Sequence, residues 1–226
     1  MIAILVAAGS SRRMGFDKLT TNLAGKPVLA HSLLAFEACP SVERIVLVAR
    51  EDRLEEFEAL GREYDVTKLE RVVPGGEQRH LSVWKGVQAA QPRGSDYVAV
   101  HDAARPLVTP DWIEACLDAA RQYGASACAA PVHDTLKRAT ADGSVIGSVE
   151  RDHLWAMQTP QIFRVELLER AYRQILQSTE VVTDEVSALQ NLGVPVILTH
   201  VEDPNFKITL PGDLALARLI LENRAP

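Results

Sequence analysis

The stretch MIAILVAAGSSRRMGFDK, residues 1–18, constrains the fold more than any other part of the sequence. It opens on a short apolar run, Ile2 to Val6, that stops at small residues. A run of this length with no polar face predicts a strand buried on both sides, the kind found in parallel sheets. The loop that follows, Ala7-Ala8-Gly9-Ser10-Ser11, has almost no side-chain bulk. Backbone N–H groups in such a loop are open to a phosphate. Arg12, Arg13 and Lys18 come next. A bare cradle followed by cations suits a polyphosphate anion. The plainer alternative is a strand-to-helix turn beside a solvated basic patch.

Two familiar phosphate loops are excluded. A P-loop requires Gly, four residues, then Gly-Lys-Ser/Thr. Gly9 is followed by Ser10-Ser11-Arg12-Arg13-Met14, with no Gly-Lys-Ser/Thr behind it. The dinucleotide pattern G-x-G-x-x-G fails at Ser11, where its second glycine belongs. What remains resembles the signature loop of Rossmann-like nucleotidyltransferases, a small-residue AAG or AGG loop followed by Arg-Met and a lysine.

Further along, Ile45 to Val48, Arg71 to Val73, Tyr97 to Val100 and Val196 to Val201 read as strands. Helical segments separate them. One opens after Gly25-Lys26-Pro27, one spans the charged run Glu51 to Leu60, and one spans Gln78 to Ala90. Thr109 is placed to cap a fourth, with Pro110 at its first position and Ile113, Cys116, Leu117 and Ala120 on one stripe. Strands alternating with helices predict an α/β fold, a Rossmann-like and mainly parallel sheet with helices on both faces. The alternation breaks after Pro131. Thr135 to Val149 forms two β-type runs around Asp142-Gly143, a strong hairpin signal. Neither run has enough apolar surface for a core face, so we expect a projecting β-hairpin arm. A lone hairpin is marginal in water, so it rests on something, most simply a second copy of the chain. Folding back onto its own domain is the alternative. Beyond it come a strand-like run from Leu154 to Gln158 that ends at Thr159-Pro160, a helix from Arg164 to Gln177, a helix capped by Thr183, and a closing helix from Leu214 to Leu221. The expectation is one domain over residues 1–226, with residues 134–152 as the arm.

A net charge of −6 argues against a basic face for nucleic acid. The three cysteines, Cys39, Cys116 and Cys128, show no CxxC spacing, as suits a reducing cytoplasm. No stretch approaches the ~20 apolar residues of a membrane span. We therefore expect a cytoplasmic protein without membrane or nucleic-acid partners.

Asp102 directly follows a buried strand, at the edge where open α/β sheets bind ligands. A single carboxylate suits Mg²⁺, which takes one or two carboxylates plus phosphate oxygens and water. The alternative is a turn cap with Arg105 as ion-pair partner, and His101 beside it suits a packed structural role. Gly75-Gly76-Glu77-Gln78-Arg79 with Ser82 ends another strand at that edge. Its glycines permit a flat base against backbone, or simply a turn. Asp134 to Arg138 and Arg151 lie at the base of the arm, and Thr183-Asp184-Glu185 begins a helix. Lys207 sits between apolar neighbours in Asn205-Phe206-Lys207-Ile208-Thr209.

AAGSSRRM, GGEQRHLS, VHDAARP, DTLKR, TPQIF, TDEVSAL and NFKIT occur in this order across nearly the whole chain. Together they resemble the 2-C-methyl-D-erythritol 4-phosphate cytidylyltransferases of the non-mevalonate isoprenoid pathway. One departure is Phe16-Asp17-Lys18-Leu19, where that family usually has Pro-Lys-Gln; RMGFDK is closer to molybdenum-cofactor nucleotidyltransferases. Ribitol-5-phosphate cytidylyltransferases share more of the pattern, and Ala103-Ala104 favours the methylerythritol family over them. The resemblance implies CMP transfer from CTP to methylerythritol phosphate, release of pyrophosphate, Mg²⁺ or another divalent cation, and a homodimer joined through the arm. It also implies that Ala7, Ala8, Gly9, Gly76, Glu77, Ser82, Ala103 and Arg105 hold CTP, and that Arg13 and Lys18 bind the nucleotide and stabilise the five-coordinate phosphorus. Asp102 would bind the metal. Thr135, Arg151, Thr183 and Lys207 would place the acceptor, with Arg151 and Lys207 also catalytic. The residues require no general base, because a phosphate monoester with a second pKa near ~6 is largely dianionic at neutral pH. A non-catalytic nucleotide-binding regulator and a dinucleotide-dependent oxidoreductase are the readings of other classes. The number of cations at one edge opposes the first, and the missing G-x-G-x-x-G opposes the second.

Overall fold

In the computed structural model, which describes residues 1–9, 15–92, 96–177, 182–202 and 204–224, the chain begins with β1 (Ile2–Ala7). There follow β2 (Asn22–Leu23), β3 (Lys26–Pro27), α1 (Val28–Ala38), β4 (Arg44–Ala49), α2 (Leu54–Glu63), β5 (Leu69–Pro74), α3 (Arg79–Ala90) and β6 (Tyr97–Asp102). The second half holds α4 (Pro110–Tyr123), β7 (Ala125–Pro131), β8 (Leu136–Ala139), β9 (Val145–Val149), β10 (Trp155–Arg164), α5 (Val165–Ile175), α6 (Glu185–Gln190), β11 (Ile197–His200) and α7 (Pro211–Asn223). Seven strands form one sheet in the order β11-β7-β10-β6-β1-β4-β5. Every pair is parallel except those of β10, which runs antiparallel to both β6 and β7. The α/β class and the mainly parallel sheet are therefore as expected.

The apolar strands feed two cores because successive side chains point to opposite faces. Ala3, Leu5, Ile45, Leu47 and Ala99 pack on one face with Leu29, Leu33 and Phe36 of α1 and Ile113, Cys116 and Leu117 of α4. Ile2, Ile4, Val46, Val48, Val98 and Val100 pack on the other with Val83 and Val87 of α3 and Leu168, Ala171 and Tyr172 of α5. Each fully buried Leu or Ile contributes about 1.5–3 kcal/mol. This two-sided burial is why the strands read as continuous apolar runs rather than alternating ones.

Four local differences from the sequence reading have physical causes. β7 was not visible in the sequence because ASACAAP lacks the β-branched and aromatic residues that mark strands. β10 does not stop at Thr159-Pro160 but continues to Arg164. Proline cannot donate to the ladder, and a register irregularity between Met157 and Gln161 accommodates it. The charged run at Glu51 opens as a short 3-10 turn before α2 begins. Asp184, not Thr183, caps α6: its carboxylate accepts from the Ser187 N–H at 3.0 Å. Thr109 caps α4 as expected, accepting from the Trp112 N–H at 3.4 Å.

β8 and β9 pair only with each other, as an antiparallel hairpin about Asp142-Gly143, with Gly143 at φ 88°. Val145 and Ile146 are 65% and 62% exposed on it. The hairpin leaves the sheet after β7 and returns at the start of β10.

Candidate active site

The carboxyl ends of β1, β5 and β6 meet at one sheet edge, and a cavity of about 370 Å³ opens there. Ala7, Ala8 and Gly9 form one side and Gly76, Glu77 and Ser82 another. Lys18, Asp102 and Lys207 complete it, together with Arg79 and Ala104. Four sequence segments far apart in the chain thus converge. The Ser82 hydroxyl accepts from the Gly76 N–H at 3.0 Å and donates to the Gln78 carbonyl at 3.1 Å, which fixes the glycine turn. A Cβ at Gly75 would lie 2.6 Å from the Ala8 Cβ, so glycine there lets the two loops touch. Lys18 Nζ donates to the Ile208 carbonyl at 2.6 Å, which ties the first loop to the C-terminal segment.

Asp102 is the electrostatic centre. Its Oδ1 accepts from Arg79 Nε at 3.0 Å, and its Oδ2 from Lys207 Nζ at 2.9 Å. Arg105 Nε stands 3.9 Å from Oδ2. Burial by itself would raise the carboxyl pKa; the charges of Arg79, Lys207 and Arg105 outweigh it and hold the pKa well below the usual range. Asp102 is therefore an anion at any neutral pH. The Arg79 guanidinium also reaches Glu185, with Nη1 at 3.0 Å from Oε1 and 2.8 Å from Oε2. His101 is fully buried, and burial pulls its pKa down to about 3. Its ring lies 3.1 Å from Thr159 Oγ1 and 5.0 Å from the Phe36 ring centroid, the packed structural role expected of it.

A second cavity of about 420 Å³ adjoins the first. Thr183, Asp184, Gln158 and Arg105 line it. Arg79, Asp102 and Lys207 line both cavities and so form the wall between them. The arrangement is two anion-compatible chambers separated by one carboxylate and two cations.

The chain matches the family model described as IspD: 2-C-methyl-D-erythritol 4-phosphate cytidylyltransferase over residues 1–223. It is 42% identical to the protein of that name from Symbiobacterium thermophilum, across 98% of this chain and 93% of the relative. The chain belongs to this cytidylyltransferase family. A relative of the same name from Pelotomaculum thermopropionicum is 41% identical, with 98% and 94% covered. Among solved structures, the 4-diphosphocytidyl-2C-methyl-D-erythritol synthase of Anaerococcus prevotii superposes with a TM-score of 0.85 at 30% identity, over 98% of this chain and 96% of that one. The cytidylyltransferase of Francisella tularensis gives 0.79 at 31% identity, over 96% and 98%.

Within this family member, several sequence candidates lie away from the cavities. Ala103 is fully buried, its N–H donating to the Val6 carbonyl and its carbonyl accepting from Ser32. The neighbouring Ala104 lines the first cavity instead. Arg105 faces only the second cavity and donates to the carbonyls of Asn205 and Met157. Thr135 is exposed, and the Arg151 guanidinium donates to the His133 carbonyl; neither lines either cavity of its own chain. Arg13 lies outside the described residues.

Of two residues that the sequence candidates left out, Arg79 belongs to the wall and Glu185 anchors it from behind. Arg79 stands in the GGEQRHLS motif, between Gly76 and Ser82. Its neighbour Glu185 stands in TDEVSAL, where nothing signals that a glutamate at a helix start is fully buried. Thr159 adds a third contact, its hydroxyl accepting from the Asp102 N–H at 3.0 Å.

Proposed function

We propose that this enzyme transfers CMP from CTP to 2-C-methyl-D-erythritol 4-phosphate and releases pyrophosphate. The observation that carries the reading is the shared wall. A chamber floored by the bare Ala7–Gly9 backbone meets a second chamber at Asp102 and two cations. CTP occupies the first, with its phosphates on the Ala7–Gly9 loop and its base against the Gly76–Ser82 segment. The acceptor occupies the second, beside Thr183. Its phosphate is already a nucleophile, so no proton need be removed. The obstacle is repulsion between two anions, and catalysis is positioning plus charge stabilisation. Lys18 and Arg13 offset charge on the α-phosphoryl group, and Lys207 orients the incoming phosphate at the wall.

Among the described residues no group of three or more His, Cys, Asp or Glu side chains stands ready to hold a metal alone. The donors nevertheless fit Mg²⁺ brought in with the nucleotide. Asp102 is a hard, ionised carboxylate with two cationic neighbours in hydrogen-bond contact, which leaves lone pairs for a further ligand. Asp102 would hold the ion, which supplies positive charge to the phosphate oxygens.

The same reading treats residues 1–226 as one nucleotidyltransferase domain and residues 134–152 as a dimerisation arm, with Thr135 and Arg151 serving the partner's acceptor chamber. Exposed Val145 and Ile146 on the hairpin support it, since isolated hairpins need a surface to rest on. The free cysteines Cys39, Cys116 and Cys128 support a cytoplasmic location. Among the described residues no helix is long and apolar enough to cross a membrane. The test is pyrophosphate release with CTP and Mg²⁺ in the presence of each acceptor. Methylerythritol phosphate should give the highest kcat/KM. Faster turnover of ribitol 5-phosphate or molybdopterin, or binding of CTP without any transfer, would reject the assignment.

A further inference from the structure

The Asp102 carboxylate has one neighbour that opens to both chambers and is itself anchored from behind. Arg79 is the first residue of α3, and Glu185 is the first residue of α6. Glu185 is fully buried and lines neither cavity. Its Oε1 also accepts from the Tyr172 hydroxyl at 3.0 Å, and the Tyr172 ring stacks on Trp84 at 5.2 Å and 18°. The carboxylate of Glu185 is thus fixed by a rigid aromatic side chain on one side and by Arg79 on the other.

We propose that Arg79, anchored by Glu185, is a positioning residue of the transfer reaction that fixes the Asp102 carboxylate at the wall between the two chambers. The inference rests on the cytidylyltransferase reading above. A guanidinium is a planar fork with donors in fixed directions. Nη1 is committed to Glu185, so the plane is set and Nε delivers its proton to Asp102 Oδ1 in one orientation. Lys207 holds the other oxygen, but its flexible side chain is 38% exposed and sets no plane. Arg79 therefore determines which way the carboxylate faces. Glu185 acts one step further back, through Arg79 alone. A lysine at position 79 would supply charge without the fork.

Three variants separate positioning from simple structural support: Arg79→Lys, Glu185→Gln, and the double variant Arg79→Met with Glu185→Gln. Each is compared with wild type by melting temperature, kcat, and KM for CTP. Residues that orient a ligand-bearing group typically cost about 10–100-fold in activity when changed. We expect kcat to fall by that factor in both single variants, with KM for CTP changed much less, because Ala7–Gly9, Gly76, Glu77 and Ser82 are intact. The double variant removes the buried Glu185 charge together with the partly exposed Arg79, so neither member of the pair is left facing an absent partner. Its kcat should stay low. Recovery of kcat along with melting temperature would show that the pair only supports the fold. Wild-type turnover in Arg79→Lys would show that the fork geometry is irrelevant. Either result overturns the inference while wild type remains active. A wild-type protein that releases no pyrophosphate would instead reject the cytidylyltransferase reading, and the inference with it.

Discussion

Replacing Asp102 by Asn tests the electrostatics of the wall directly. The side chain keeps its shape and loses its charge. Two charge-assisted hydrogen bonds, from Arg79 and Lys207, are weakened, and Arg105 at 3.9 Å loses its counter-charge. Such bonds are worth about 1.5–3 kcal/mol each. The Lys207 bond is discounted because that side chain is 38% exposed and solvent screens it. Asn retains one acceptor oxygen for Arg79, which returns part of the loss. The result is a destabilisation of about 3 kcal/mol, from the weakened Arg79 and Lys207 bonds and the Arg105 charge left without its nearest counter-charge. For a chain of this size, ~1 kcal/mol shifts Tm by about 2–4 °C, so Asp102→Asn should melt about 6–12 °C below wild type. The pH dependence follows from the direction of the shift. The folded Asp102 pKa lies below its unfolded value of about 3.9. Its contribution is complete above the unfolded value and is lost as pH falls through the folded one. Thermal melts followed by circular dichroism should therefore show a constant gap from about pH 8 down to about pH 5, closing below about pH 4. A gap under about 2 °C, or one that widens on acidification, would refute the assignment of Asp102 as the counter-charge of this cluster.

Other expectations follow from the same geometry. Lys18→Ala should lower kcat by about 10²–10³-fold with an unchanged fold, as for loss of a preorganised charge donor, and near-normal turnover would remove Lys18 from the reaction. Gly75→Ala forces a methyl group to within 2.6 Å of Ala8, so it should raise KM for CTP and cost about 1–3 kcal/mol of stability, read from saturation kinetics and denaturant melts. In the arm-joined dimer proposed above, the Arg13→Ala and Arg151→Ala proteins should each be nearly inactive. Unfolded and refolded together in equal amounts, they should regain about a quarter of wild-type activity if arms exchange, because one site of each mixed dimer carries neither defect. Mixed dimers that regain nothing would assign Arg151 to its own chain.

Much of the scaffold was legible because its signals are local. The apolar runs of β1, β4 and β6 and the Thr109-Pro110 start of α4 each announce themselves within a few residues. β7 lacked such a signal, since its alanines are chosen by the packing of neighbours rather than by strand preference. The first chamber was largely legible too, because Ala7–Gly9, Gly76, Ser82 and Asp102 all follow strands at one edge. What escaped was set by tertiary burial. Arg79 and Glu185 meet across 106 positions, and only the packing of α5 and α6 removes Glu185 from water. The exchange of Ala103 for Ala104 at the cavity wall reflects which way the chain turns after β6, and two adjacent alanines carry no mark of that.

The bond from Lys18 to the Ile208 carbonyl spans 190 positions, and that from Lys207 to Asp102 spans 105. The last strand of the sheet ends at His200. A growing chain that has emerged only as far as that strand can pair all of β1, β4, β5, β6, β7, β10 and β11. It still lacks Lys207 at the wall and the Ile208 carbonyl to which Lys18 donates. The sheet's strands are therefore all encoded before the last residue of the wall. A polypeptide released after residue 202 carries all seven strands but lacks the Lys207 that completes the chamber wall. The wall between the two chambers is complete only once Lys207 has emerged, later than every strand of the sheet.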